Sequence, residues 1–181
     1  MQTNSIPLRQ ITEAGLLIAA ALALSQFKVF QMPSGGSVSF APLPLLLLSA
    51  RRGVRLGALA GGIAGLLLSA MHPFVVHPVQ FVLDYPLAYS TVGLAGIIRW
   101  KTPAHALLAI LGSFVVRLFL HVLAGFFYFI PAGISPINAC LASLTYNLTH
   151  LGPEALACSI IGLLIVRTRP DLACVDEQPG P

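Results

Sequence analysis

The chain has 181 residues, of which 56% are hydrophobic and 9% charged, and its mean hydropathy is +0.86. A soluble core of this length cannot absorb so much apolar surface, so the composition excludes a soluble globular domain and marks an integral membrane protein. The net charge of +4 and the pI near 9.3 come from Lys and Arg set between apolar runs, which suits anionic lipid rather than nucleic acid.

Residues 1–9 read as a solvated N-terminus, followed by the first apolar run, 11–27. Within it Gly15, Ala19 and Ala23 fall four apart, a stripe of small residues that lets another helix approach closely. The same run holds Glu13 and an Ala-Leu-Ala stretch before Ser25, but one Arg is a poor signal-peptide n-region, so the run is read as retained. A loop with adjacent Gly35 and Gly36 follows, read either as a lid over an outward cavity or as a connecting turn. The run 41–50 carries Pro42 and Pro44 and is too short to span alone, so it predicts a short helix packed against protein.

Four further runs, 54–70, 74–98, 104–130 and 138–166, complete a predicted all-α, six-helix membrane bundle forming a single domain over 1–181. A disordered tail is expected from about 170. Eight of the ten Lys and Arg residues (Arg9, Arg51, Arg52, Arg55, Arg99, Lys101, Arg167, Arg169) lie on one side of such a bundle. The positive-inside rule makes that side the cytoplasm, with both termini inside a multi-pass plasma-membrane protein. Cys140, Cys158 and Cys174 are odd in number and lack metal-ligand spacing, so neither a disulfide framework, a metal site nor a cofactor is implied.

Three of the runs carry polar faces at helical spacing. The fourth has Gln80, Asp84 and Ala88, with Tyr85 beside them and Pro78 and Pro86 disturbing the local hydrogen bonding. The fifth has Arg117, His121, Gly125 and Phe129; the sixth has Asn147, His150 and Glu154, with Tyr146 adjoining. Each element has a plain structural explanation: Asp84 and Arg117 neutralise each other, His121 bonds a carbonyl, Asn147 joins helices. Together, three inward polar faces beside Tyr85, Phe129 and Tyr146 describe a small-molecule pocket with an aromatic wall. The Asn147-Leu-Thr sequon lies inside a span and is set aside. No Gly-x-Ser-x-Gly, His-Glu-x-x-His or Walker A motif is present, so an ATP-driven transporter of this kind needs a separate ATPase. Two readings stand beside binding: a small membrane enzyme using His121 and Asp84, and a subunit whose polar set only joins helices.

The stretch Gln31-Met-Pro-Ser-Gly-Gly-Ser-Val-Ser39, the run from Pro44 to Gly53, the segment His77-Pro-Val-Gln-Phe-Val-Leu-Asp-Tyr85, Arg117 to Gly125, and Leu144-Thr-Tyr-Asn147 resemble the thiamine-specific substrate-binding (S) component of energy-coupling factor (ECF) vitamin transporters. The resemblance runs from about Arg9 to Arg167. It implies a six-helix subunit that captures thiamine and docks on one transmembrane protein and two ATPases, using the Gly15, Ala19 and Ala23 stripe. It also implies a site in which Asp84 compensates the thiazolium cation, His121 and Phe129 pack on a ring, Asn147 holds the pyrimidine, and Tyr85, Arg117, Gln80, Tyr146, Gly35 and Ser39 line the surroundings. Some relatives have Trp and Glu where this chain has Gly35 and Ser39, Trp at Phe129, Lys at Arg117 and Tyr at Ala142; Tyr146 is read as pointing to another side of its helix than Ala142. An S component for a different vitamin or for a thiamine precursor is the alternative.

Overall fold

A computed structural model describes residues 7–32, 35–71, 73–131 and 133–173. Helix α1 (Leu8–Ser25) leads into a short antiparallel hairpin, β1 (Phe30–Gln31) with β2 (Ser37–Val38), in which Phe30 pairs with Val38 and Gln31 with Ser37. Then come α2 (Pro42–Arg52) and α3 (Val54–Met71), separated by Gly53. Helix α4 is built in four pieces, Pro78–Val82, a π-turn Leu83–Leu87, Ala88–Ser90 and a 3-10 segment Thr91–Gly96. The long helices α5 (Pro103–Tyr128) and α6 (Pro136–Thr168) follow, and a last helical turn, α7, covers Pro170–Ala173.

Local chemistry explains the starts of α4, α5 and α6. Each places Pro where a helix N–H would have no partner, and each is preceded by a side chain that accepts from the first turn. His77 Nδ1 accepts from Val79 N at 3.1 Å, Thr102 Oγ1 from His105 N at 3.2 Å, and Ser135 Oγ from Asn138 N at 3.4 Å. Inside α4, Pro86 has no N–H to give, and the chain takes up the defect as the π-turn that carries Asp84 and Tyr85. Helix α3 lies hard against that region: a side chain at Gly61 or Gly65 would collide with the carbonyl of Tyr89 or Tyr85.

Among the described residues four helices, α1, α3, α5 and α6, are long and apolar enough to cross a membrane. The apolar core fills one half of the bundle, around Leu45, Leu46, Leu48, Trp100 and Ile110, all fully buried. At that end Glu13 of α1 binds Arg51 and, at 2.7 Å, Arg52 Nε, while Arg51 Nη1 donates to the carbonyls of Asp171 (3.1 Å) and Leu172 (3.0 Å). Glu13 thus joins α1 to α2, and Arg51 carries the link on to α7.

Several expectations change. The fourth run does not begin as helix at residue 74: residues 73–77 are non-helical, and α4 starts where Pro78 and its cap allow. Of the segment 1–9 expected to be solvated, Leu8 and Arg9 are exposed but already belong to α1. Residues 170–173, within the tail expected to be disordered, instead form α7, with Ala173 buried and Arg51 holding the carbonyls of Asp171 and Leu172. The Gly-rich loop is the hairpin between α1 and α2; its Pro33 and Ser34, the remaining tail and Cys174 lie outside the described residues. Among the described residues no group of three His, Cys, Asp or Glu side chains is placed to hold a metal ion.

Candidate functional site

The other half of the bundle encloses a cavity of about 660 Å³. Its wall comes from the end of α1, the hairpin, the end of α3, residues 73–89, the second half of α5 and the first half of α6. All ten pocket candidates, Gly35, Ser39, Gln80, Asp84, Tyr85, Arg117, His121, Phe129, Tyr146 and Asn147, line this one cavity. Helical spacing brought them together: α4, α5 and α6 each turn their polar stripe toward the same space.

Asp84 has two donors. Its Oδ1 lies 2.8 Å from His121 Nδ1, and its Oδ2 accepts from Gln80 Nε2 at 2.7 Å. A carboxylate at Nδ1 favours the tautomer with the proton there, which leaves Nε2 of a neutral ring as an acceptor. That Nε2 is buried and has no hydrogen-bond partner. Gln80 is fully engaged, donating also to Phe74 O (3.3 Å) and accepting from Val76 N (3.1 Å), so it ties residues 74–76 to the helix and steadies Asp84. Tyr85 completes that tie, its hydroxyl accepting from Phe74 N at 2.9 Å. Phe74 in turn stacks on Phe129, with ring centroids 5.7 Å apart and planes 19° from parallel, and Gly35 sits against the same Phe74 ring.

One turn before His121 on α5, Arg117 Nη1 donates to Glu154 Oε2 at 2.8 Å, and its guanidinium lies over the Tyr89 ring, 4.4 Å from the centroid. Glu154 Oε1 accepts from both the N–H (3.3 Å) and the hydroxyl (3.2 Å) of Ser39, which fastens the segment after the hairpin to α6. Asn147 Nδ2 donates to Ser143 O at 2.9 Å and His121 O at 3.2 Å, bridging α5 and α6 and leaving its carbonyl oxygen as the free part of the amide.

The structure therefore does not pair Asp84 with Arg117. Each has its own partner, His121 and Glu154, although Arg117 and His121 stand one turn apart on α5. Tyr146 is corrected as well: it and Ala142 line the same cavity, as a four-residue helical spacing requires. Glu154 and His150, which share the Asn147 face in the sequence, also stand at this site. Tyr89 and Phe74 were missed; the four-residue step from Tyr85 to Tyr89 was the available signal. His150 is 5% exposed and lines the cavity, its ring edge-on to His121 and Tyr146 with centroids 6.0 and 6.1 Å away. The partner stripe faces away from the bundle: Gly15, Ala19 and Ala23 are exposed, while Ala14, Ala21 and Ser25 face inward.

A helical bundle with an apolar outer surface and a polar, aromatic-lined chamber in one half is a multi-pass membrane protein built to hold a small molecule. The model of the family described as thiamine transporter protein matches residues 11–174, and the chain belongs to that family. It is 31% identical over 189 residues to thiamine transporter ThiT of Bacillus subtilis (strain 168), covering 96% of this chain and 98% of that one. With thiamine transporter ThiT of Lacticaseibacillus paracasei the identity is 25% over 172 residues, covering 86% and 84%. Among solved structures, ThiT from Listeria monocytogenes superposes with a TM-score of 0.79 at 24% identity, over 93% of this chain and 98% of that one, a likeness of fold. The family is one of transporters, and the small-enzyme alternative is set aside.

Proposed function

We propose that the protein is the thiamine-capture (S) component of an ECF-type importer: it takes thiamine from outside the cell and delivers it through a separate transmembrane protein and two ATPases. The observation that carries this reading is the Asp84–His121 pair inside the chamber of a thiamine transporter family member. Thiamine has a fixed thiazolium charge and an aminopyrimidine edge. The Asp84 carboxylate suits the cation, and the Phe129 and His121 rings suit a flat heterocycle. The free carbonyl oxygen of Asn147 and the unpartnered Nε2 of His121 suit the amino group and its neighbours.

In this reading the chain forms one integral membrane unit of the plasma membrane. The chamber opens to the outside, and the end bearing Arg51, Arg52, Arg99 and Arg169 faces the cytoplasm with both termini. The exposed Gly15, Ala19 and Ala23 stripe meets the energising module.

Calorimetric titration of thiamine into purified protein from thiamine-starved cells tests the proposal. The expected result is saturable one-to-one binding at nanomolar strength, on the order of 12 kcal/mol. Asp84→Ala and His121→Ala each weaken it while the protein still elutes as a folded species. Heat with riboflavin or biotin and none with thiamine selects another vitamin, and normal affinity in both variants rejects the assigned site.

A further inference from the structure

Arg117 lines the chamber, but the carboxylate that neutralises it does not: Glu154 lies behind the wall, 1% exposed. Count the formal charges of the wall with its imidazoles neutral. Lys28 and Arg117 are positive and Asp84 alone is negative, a surplus that repels a cationic ligand. Behind the wall, Glu154 receives three hydrogen bonds and gives none, from Arg117 Nη1 at 2.8 Å and from the Ser39 N–H and hydroxyl at 3.3 and 3.2 Å, the pattern of an ionised carboxylate. Adding its charge brings the balance to zero. It also spares Asp84, which would otherwise be the nearest carboxylate for the guanidinium.

We infer that Glu154 is a positioning residue that sets the charge selectivity of the chamber: by holding Arg117 and cancelling its charge from outside the wall, it leaves Asp84 to a cationic ligand. The inference rests on the thiamine-capture reading and extends it to a residue that does not touch the ligand. Losing the charge on Glu154 frees one positive charge beside the chamber. At about 8 Å and an effective dielectric of about 20, that weakens cation binding on the order of 30-fold, whereas an uncharged ligand does not feel it.

The test is a ratio of affinities, thiamine against its uncharged pyrimidine half, (4-amino-2-methylpyrimidin-5-yl)methanol, measured by titration and displacement on the intact protein in detergent. Glu154→Gln is expected to lower the ratio about 30-fold, and Glu154→Asp, which keeps the charge, to restore it to within about threefold. Arg117→Met has the opposite sign: it leaves the carboxylate without its cation and raises the ratio. A merely structural role for Glu154 weakens both ligands alike, and that result overturns the inference. Should Glu154→Gln fail to fold, Arg117→Met decides by itself, since a ratio that stays level or falls overturns it. Native protein that takes up no thiamine refutes the capture reading and this inference with it, whereas native binding with an unmoved ratio in the variants refutes only the inference.

Discussion

Replacing Gly36 by alanine tests whether the hairpin closes the chamber. A Cβ at this position meets the His150 ring at 2.6 Å from Nδ1, 2.7 Å from Cε1 and 2.9 Å from Cγ. Ordinary contacts begin near 3.4 Å, so about 0.8 Å must be found. His150 has little room to give, being 5% exposed and set edge-on to both His121 and Tyr146. Gly36 is held in turn, its carbonyl accepting from Met32 N at 2.7 Å while Ser37 pairs with Gln31. Either the hairpin lifts or the imidazole swings into the chamber, and both spoil the closed arrangement. Overpacking of this kind costs about 1–3 kcal/mol, which corresponds to about a 5- to 150-fold loss of thiamine affinity. Most of that loss is expected as faster release. Calorimetry gives the affinity and stopped-flow displacement the release rate. The decisive control is His150→Ala, which makes room for the methyl: a double-mutant cycle should return a coupling of at least about 1 kcal/mol. Parental affinity in Gly36→Ala, or losses that simply add in the double variant, refutes the argument.

Asp84→Asn keeps the side-chain shape but faces one of its two donors, His121 Nδ1 or Gln80 Nε2, with an amide NH₂, and it removes a charge about 5 Å from the ligand cation, worth about 3 kcal/mol at an effective dielectric of about 20. Thiamine affinity should drop at least about 100-fold by calorimetry; a loss under about tenfold refutes Asp84 as the cation's partner. Glu13→Gln weakens the grip on Arg51 and Arg52 at the opposite end and is expected to cost about 1–3 kcal/mol, read as a lower Tm in detergent with unchanged thiamine affinity. An unshifted melt shows that the clamp contributes nothing. Ala19→Trp places a large ring on an exposed stripe, so vitamin uptake by cells should decrease while binding by purified protein stays intact. Equal uptake by that variant rejects the docking surface.

The elements that were legible are those decided within one helix. Length and hydropathy alone mark α1, α3, α5 and α6, and four-residue spacing alone puts Asp84, Arg117 and His121, and Asn147 on inward stripes of their helices. What stayed hidden depends on how helices are rotated against one another. The acids Asp84 and Glu154 and the bases Arg117 and His121 lie at this chamber, and spacing along each helix cannot say which acid takes which base. The π-turn at Pro86 turns Asp84 to His121, and α6 brings Glu154 to Arg117. Had Asp84 been reserved for a cation, Arg117 would have needed another carboxylate, and Glu154, already on the Asn147 face, was the acid available inside a neighbouring span. A buried charge in a membrane helix is therefore best read as half of a pair, and assigning the pairs first separates the residue that meets the ligand from the residue that keeps a neighbour's charge away from it.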